Sequence, residues 1–276
     1  MRYFEHTLKT PLTDDARLIC YIPDNSREIE PARRRRAVII CPGGSYMKTS
    51  DREAEPVALK LLATDTAAFV LRYSVAPRRF PAALAELAQS VLYIRENAEQ
   101  FCVDADNILV MGFSAGGHLA ASLGIMPEEL EKLGYDADEV RPGGMILGYP
   151  VVTSGEYGHQ GSFESLLGEQ MMNQRSAFSL EKRVSEKTPP AFIWHTFADS
   201  TVPVENSLML AAAMSRSNVP CELHVYPAGK HGLSLGTKVT AKNDTYIERD
   251  LQSWFYLLEI WLDDNFPNAS IFNRRG

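Results

Sequence analysis

Apolar residues along this chain form short continuous runs that alternate with longer runs at helical spacing. The continuous or alternating runs predict β-strands over residues 17–22, 37–41, 67–73, 107–112, 144–151, 191–196 and 221–226. The helical runs predict helices over 53–63, from Pro81 onward, from Ser114 to about 123, over 204–217 and over 246–263. In the second of these helices one face is apolar and is formed by Leu84, Leu87, Ala88, Val91 and Leu92.

This alternation of strands and helices defines the expected fold class. Continuous apolar strands are typical of a mostly parallel sheet that is covered by helices on both faces. We therefore expect an α/β fold, with residues 1–276 forming a single domain. Residues 153–190 interrupt the alternation and are rich in Gly, Ser, Glu and Met. Connections of this length are usually functional, so we expect a short insert that acts as a lid or binding loop.

Composition and charge exclude several classes of protein. Of the 276 residues 45% are hydrophobic, and the net charge of −7 argues against a nucleic-acid partner. The N-terminal residues 1–6 have no apolar core like that of a signal peptide, and no apolar stretch is long enough for a membrane span. The four cysteines lie far apart without a CxxC pair, so we expect buried thiols in a cytoplasmic protein. The only block of like charge, Arg33 to Arg36, is expected to be a solvated entry to the strand at 37–41.

The strongest chemical signal is the sequence GFSAGGH at residues 112–118. It matches the pattern G-x-S-x-G and lies between a predicted strand and a predicted helix. A serine at the tip of such a tight turn needs strained dihedral angles, and side chains two residues away would clash. Gly112 and Gly116 are therefore required, and Ser114 is the candidate nucleophile. The N-terminus of the following helix would stabilise negative charge beside it.

A nucleophilic serine needs a base and an acid, which in this type of fold follow it in the order Asp or Glu, then His. His231 lies in a glycine-flanked loop after the strand at 221–226, so its ring can reach over the strand ends. Asp199 is the first carboxylate after the strand at 191–196, and it would hold His231 in one tautomer. Glu205 is an alternative acid, but it falls within a predicted helix. Five other histidines are less suitably placed, namely His6, His118, His159, His195 and His224.

The loop after the strand at 37–41 is the candidate site for an oxyanion. Its sequence, CPGGSY at 41–46, contains two glycines that let backbone amides approach a substrate closely. The candidate donors are the amides of Gly43, Gly44 and Ser45, together with that of Ala115 directly after the nucleophile. A phosphate-binding loop is disfavoured because its glycine motifs are absent. No spacing of His, Cys and carboxylates suggests a metal site, so we expect neither a metal nor another cofactor.

These residues carry a resemblance to a known family along nearly the whole chain. The chain resembles the α/β-hydrolase superfamily, and more narrowly small bacterial serine esterases related to acetyl esterases and xylan/feruloyl-type carbohydrate esterases. The resembling segments are 41–46, 52–56, 69–73, 112–118, 189–203 and 230–233. The resemblance implies metal-free ester hydrolysis, and it aligns Gly44 and Ser45 with the oxyanion donors of a His-Gly-Gly-Gly motif. Pro42 stands where that motif has histidine, so the choice of donor within the loop stays open.

The expected reaction is hydrolysis of a small-molecule ester through an acyl-enzyme. The resemblance implies short-chain acyl groups, above all acetyl, and acetylated sugars as substrates. Candidate substrate contacts are Tyr46, Phe163, Met171 and Met172, although the last three could equally pack the insert onto the fold. The alternatives are a peptidase or amidase on the same fold and a non-catalytic binding module. The insert or the edge strand at 221–226 could also join copies of the chain into a homo-oligomer.

Overall fold

The computed structural model describes residues 1–269, in which helices flank an eight-stranded sheet. The strands are β1 Arg2–Leu8, β2 Ala16–Ile22, β3 Arg35–Cys41, β4 Ala67–Arg72, β5 Val103–Phe113, β6 Gly144–Gly148, β7 Ala191–Thr196 and β8 Cys221–Tyr226. The α-helices are α1 Glu55–Leu62, α2 Ala82–Glu96, α3 Ala98–Phe101, α4 Ala115–Ile125, α5 Ala137–Val140, α6 Gln160–Met171, α7 Glu205–Arg216 and α8 Ser253–Asn265. Within residues 1–269 none of the helices is both long and apolar enough to cross a bilayer.

The order of the strands brings the loops of interest to one edge of the sheet. The strands lie in the order β1-β2-β4-β3-β5-β6-β7-β8. The pairs β1–β2 and β2–β4 are antiparallel. All the other neighbours, from β4 to β8 in this order, pair in parallel. The expected α/β class with a mostly parallel sheet is therefore confirmed. Because parallel strands end at the same edge, the loops that follow β3, β5, β7 and β8 meet there.

Alternation along the strands explains why both faces of the sheet are covered. In β3, Ala37 and Ile39 belong to one apolar core while Val38 and Ile40 belong to another. Helices α2, α4 and α7 contribute buried side chains to the first core, and α1 and α8 contribute to the second. Burial on two sides is the reason that the central strands are continuously apolar.

Three of the differences from the expectation have a clear physical reason. β1 escapes prediction because it is an edge strand whose residues alternate between exposed and half-buried positions, without a continuous apolar run. β6 ends at Gly148 because Tyr149 has φ of 37°, which an extended strand does not allow. The last helix begins at Ser253, since two 3₁₀ turns, Asp244–Tyr246 and Asp250–Gln252, replace its predicted first part.

The segment 153–190 is partly helical and packs against the first core. It contains α6 and two 3₁₀ segments, Met172–Phe178 and Leu180–Lys182. Helix α6 begins after His159, whose ring nitrogen accepts a hydrogen bond from the amide of Ser162 and so caps the helix. Phe163 and Leu167 on this helix are buried. The segment is therefore anchored to the sheet by apolar side chains.

The arginine run contradicts the expectation of a solvated strand entry. Arg35 and Arg36 are only 4% and 1% exposed. The guanidinium of Arg35 donates to Asp65 at 2.6 Å, and that of Arg36 donates to Asp263 at 2.8 Å and to Thr66 at 2.9 Å. A buried charge is tolerated when it is paired and hydrogen-bonded in this way. The run is thus structural, and it joins the start of β3 to the loop before β4 and to the end of α8.

Candidate active site

Ser114 occupies the turn between β5 and α4. Its backbone has φ of 54° and ψ of −123°, a strained combination for a residue with a side chain. A Cβ atom added to Gly112 would lie 2.1 Å from Gly116 O, and one added to Gly116 would lie 2.1 Å from Cys41 O. Both distances are far below van der Waals contact with backbone atoms, so only glycine fits at the two positions. This is the steric reason that we inferred from the motif.

His231 lies in the loop after β8, and its ring reaches Ser114. The distance from His231 Nε2 to Ser114 Oγ is 2.8 Å. The loop bends sharply around the ring because Gly229 and Gly232 have φ of 121° and 78°. The ring of Tyr149 packs edge-on against the imidazole, with 5.0 Å between the ring centroids. The position of the imidazole is therefore set both by the loop and by this aromatic contact.

Asp199 follows β7 and contacts the other nitrogen of the same ring. Its Oδ2 is 2.6 Å from His231 Nδ1, and its Oδ1 accepts from the amides of Thr201 and Val202. His195 on β7 also approaches, with Nε2 at 3.5 Å from Asp199 Oδ2. Burial raises the pKa of Asp199, but the hydrogen bonds from His195 and His231 outweigh it and hold the pKa well below the usual carboxyl range. Asp199 is therefore ionised.

These contacts define one arrangement of protons. A carboxylate can only accept, so His231 Nδ1–H donates to Asp199 and Nε2 keeps its lone pair. The hydroxyl of Ser114 then donates to Nε2. Such a chain can take the proton from Ser114 as its Oγ attacks a carbonyl carbon. The structure thus brings together the three residues that the sequence singled out.

The loop after β3 presents backbone amides beside Ser114, but one of the candidate donors is engaged elsewhere. The amide of Gly43 donates to Glu53 Oε2 at 2.8 Å, which corrects its inclusion among the oxyanion donors. Within residues 1–269, the amides of Gly44, Ser45 and Ala115 have no hydrogen-bond acceptor. Gly44 has φ of 133°, and a Cβ added there would lie 2.2 Å from a backbone oxygen. The remaining candidate donors are therefore Gly44, Ser45 and Ala115.

Glu53 connects this loop to the loop of His231. The carboxylate is buried, and its Oε1 accepts from the hydroxyl of Tyr149 at 2.6 Å. That hydroxyl in turn accepts from the amide of Ser234 at 3.0 Å. Burial and the nearby carboxylate raise the pKa of Tyr149 well above its ordinary value, so the hydroxyl stays a donor. Sequence reasoning missed both residues, because Glu53 lies ten residues from Gly43 and nothing local indicates their contact.

A cavity of about 590 Å³ opens in front of Ser114, and we call it the serine cavity. Its wall consists of residues 44–45, 48–53 and 239–242 together with Ser114, His159, Thr201, His231, Gly232 and Tyr246. His159 reaches the wall from the start of the insert. Burial and the neighbouring His231 lower the pKa of His159, so its ring is favoured in the neutral form.

The four candidate substrate contacts lie outside this wall. Phe163 is buried and packs edge-on against His118, with 5.4 Å between the ring centroids. Tyr46 is also buried, and its hydroxyl lies 3.0 Å from His118 Nδ1. Met171 and Met172 are partly buried against the first core. Burial lowers the pKa of His118 to about 4, so this cluster is a neutral packing unit. Its side chains are held in the core and do not line the serine cavity.

The fold and the site define the α/β-hydrolase class of protein, in which a serine stands at a turn from strand to helix in a mostly parallel sheet. Comparison with families of known proteins refines this assignment. The BD-FAE family model matches residues 21–144. The model of the prolyl oligopeptidase family matches residues 83–256, more than half of the chain, and the chain belongs to this family within the superfamily.

Individual relatives and solved structures are named as esterases or hydrolases of esters. The chain is 29% identical over 271 residues to the acetylxylan esterase of Xylanibacter ruminicola, a match that covers 95% of this chain and 53% of that protein. It is 36% identical to an acetyl ester-xyloside bifunctional hydrolase from Caldicellulosiruptor lactoaceticus, with a TM-score of 0.78 and 92% of each chain covered. The carboxylesterase Cest-2923 from Lactobacillus plantarum WCFS1 is 29% identical, with a TM-score of 0.87 over 98% of this chain and 100% of that one.

These similarities are to proteins named as esterases or hydrolases within the superfamily. The matches to solved structures extend over nearly the full length of both chains. By contrast, the chain spans between a third and about half of the length of the first curated relatives that it matches.

Proposed function

We propose that this chain is a serine esterase that hydrolyses short-chain carboxylic esters, above all acetyl esters, through an acyl-enzyme. The observation that carries the proposal is the chain of hydrogen bonds from Asp199 through His231 to Ser114, at 2.6 and 2.8 Å. The names of the relatives support ester hydrolysis, and two of them mention acetyl groups together with xylan or a xyloside. Acetylated sugars are therefore the proposed substrates.

In the proposed reaction, Ser114 Oγ attacks the ester carbonyl carbon while its proton moves to His231 Nε2. Asp199 stabilises the imidazolium that forms, through its contact with Nδ1. The carbonyl oxygen becomes an oxyanion, which accepts hydrogen bonds from the amide of Ala115 and from those of the loop after β3. The bond to the alcohol then breaks, and the alcohol leaves with the proton from His231. Water attacks the acyl group with the help of the same imidazole and restores Ser114.

The wall of the serine cavity favours a short acyl group and a polar alcohol. Every side chain that residues 48–53 contribute to the wall is polar or charged. Among the described lining residues, Val239 and Tyr246 are the large side chains of apolar or aromatic character. A long alkyl chain would gain little free energy by leaving water for such a wall. The hydroxyls of a sugar, however, can bond to side chains such as Thr49, Ser50 and Thr240.

The dependence of rate on acyl length tests this proposal. Among p-nitrophenyl esters, we expect kcat/KM to be highest for the acetate and to fall by at least about tenfold at the octanoate, because the wall offers little apolar surface to a longer chain. Steady-state kinetics at one pH, corrected for spontaneous hydrolysis, measure the series. Values of kcat/KM that rise with chain length would rule out the short-chain preference.

A peptidase or amidase is the second candidate function, because the model of the prolyl oligopeptidase family covers residues 83–256. Cleavage of an amide would use the same serine, histidine and aspartate. We expect p-nitrophenyl acetate to be accelerated over its spontaneous hydrolysis more strongly than acetyl-p-nitroanilide. The opposite order would favour the amidase. Failure of a fluorophosphonate to label Ser114 would instead favour a binding module without catalytic activity.

Glu53 offers a test of how the proposed machinery is positioned. In Glu53→Ala, Gly43 and Tyr149 lose their common anchor, so we expect kcat for p-nitrophenyl acetate to fall about a hundredfold with little change in KM. Glu53→Gln keeps an acceptor for the amide of Gly43 but not for the hydroxyl of Tyr149. Its kcat should therefore lie between those of Glu53→Ala and the wild type. Urea unfolding identifies the fraction that is folded. A folded Glu53→Ala variant with the kcat of the wild type would show that the network does not position the site.

A further inference from the structure

Four cationic side chains lie in or beside the wall of the serine cavity, and we call them the positive edge. Lys48, Arg52 and Lys242 line the cavity, as does Tyr246. The ring of Tyr246 is approached by Lys230 Nζ at 3.8 Å, Arg52 Cζ at 4.9 Å and Lys242 Nζ at 5.9 Å from its centroid. Three positive charges therefore lie around a single aromatic ring, and Lys48 adds a fourth on the same cavity wall.

Among the described residues, no acidic side chain forms an ion pair with this group. Within residues 1–269, no carboxylate oxygen lies within 4.0 Å of the charged nitrogens of these four residues. Neither of the two carboxylates of the cavity wall pairs with these four cations. Asp51 pairs with Arg72 at 2.8 Å, and buried Glu53 accepts from Gly43 and Tyr149. The chain as a whole carries a net charge of −7, so its overall composition does not explain a positively charged cavity edge.

Like charges held together without a counter-ion repel one another, and the same field attracts an anion. Arg52 donates to Gly232 O at 2.5 Å, and Lys230 donates to the hydroxyl of Thr245, so these two also have structural contacts. The ammonium groups of Lys48 and Lys242 have no hydrogen-bond acceptor among the described residues. These two exposed lysines are therefore the donors available to a bound anion.

We infer that the preferred ester of this enzyme carries a carboxylate on its alcohol part, which Lys48 and Lys242 bind at the positive edge of the serine cavity. The inference rests on the proposed esterase function. An acetyl group has no place for a charge, so the charge belongs to the alcohol. Hydroxyl side chains on the same wall, Thr49, Ser50 and Thr240, suit an alcohol with further hydroxyls. The chemical class is thus an acylated hydroxy acid, of which a sugar acid is one form.

Two esters that differ only in charge test the inference. 3-Acetoxybenzoate and 3-acetoxybenzamide have the same acyl group and similar size, but only the first is anionic at neutral pH. We expect kcat/KM, normalised to spontaneous hydrolysis, to favour the anionic ester about tenfold at low ionic strength. The ratio should approach one in the double variant Lys48→Gln/Lys242→Gln. It should also fall in the wild type at about 0.5 M salt, where such contacts are screened.

Lys132→Gln is the matched control, because Lys132 is an exposed lysine in the 3₁₀ segment Pro127–Leu133 and lies outside the cavity wall. This variant should keep the ratio of the wild type. A wild-type ratio of one or less, or a ratio that the folded double variant leaves unchanged, would overturn the inference. In either case Ser114-dependent hydrolysis of the neutral ester would leave the proposed function intact. If neither ester is hydrolysed, the proposed function itself fails, and the inference fails with it.

Discussion

Ser114→Ala is expected to lower kcat for p-nitrophenyl acetate by at least about 10⁴-fold. The substitution removes the Oγ that lies 2.8 Å from His231 Nε2, so neither an acyl-enzyme nor a proton transfer from serine can occur. Alanine has the smaller side chain, and the backbone of the turn already accommodates a Cβ atom at this position. The variant should therefore fold like the wild type. Its steady-state rate and its midpoint of urea unfolding are the two quantities to measure.

Ser122→Ala provides the matched control for this prediction. Ser122 lies on α4, two turns beyond the nucleophile, and its hydroxyl donates to His118 O inside the packed core. Loss of this bond affects stability slightly but leaves the site intact. We expect the control to keep the kcat of the wild type. A folded Ser114→Ala variant that retained wild-type turnover would refute the assignment of the nucleophile.

Asp199→Asn is expected to lower kcat by about 10⁴-fold while the fold persists. The asparagine amide can donate to His231 Nδ1, which forces the proton onto Nε2, where it blocks uptake of the proton from Ser114. An amide also gives no charge to stabilise the imidazolium. The pKa of Asp199 lies well below the usual carboxyl range, so the wild-type carboxylate is ionised at every pH at which activity is measured. The loss of kcat in Asp199→Asn should therefore appear across that whole pH range.

Glu205→Gln separates this role from a general effect of lost charge. Glu205 is the alternative acid that follows β7, but it lies in the first turn of α7, and Asp199 makes the contact with His231. The control should therefore retain kcat within about twofold, since surface substitutions rarely disturb a site. If Glu205→Gln lost activity as strongly as Asp199→Asn, the choice of Asp199 as the acid would be wrong.

The features that local sequence predicts here are those that depend on short-range sterics and on burial. The strand before Ser114, the glycines on either side of it and the helix after it lie within one continuous segment, so their pattern is visible. Asp199 follows the buried strand β7 and His231 follows the half-buried edge strand β8, and parallel pairing brings the ends of these strands together. The proximity of these residues therefore follows from the order and parallel pairing of the strands that precede them.

The parts that escaped prediction depend on contacts between distant segments. The sequence predicts that the amide of Gly43 is available to an oxyanion, but this amide donates to the carboxylate of Glu53, ten residues later. Phe163 in the insert is predicted to contact the substrate, but it packs against buried His118 instead. Besides the loop after β3, the wall includes residues 239–242 and Tyr246, and helical periodicity assigns Tyr246 to the last helix. Contacts between side chains from distant segments produce no periodic pattern in the sequence, so they cannot be predicted from it.

The buried guanidinium of Arg36 also sets an order of events during synthesis. It belongs to β3, near the centre of the sheet, but its partners include Asp263 and the carbonyl of Phe266. Until these residues have left the ribosome, a charge in the interior lacks part of its compensation, which is costly. The central strand can therefore reach its final environment only after Asp263 and Phe266 have been synthesised. We expect the nascent chain to remain open to chaperones until the segment after α8 emerges.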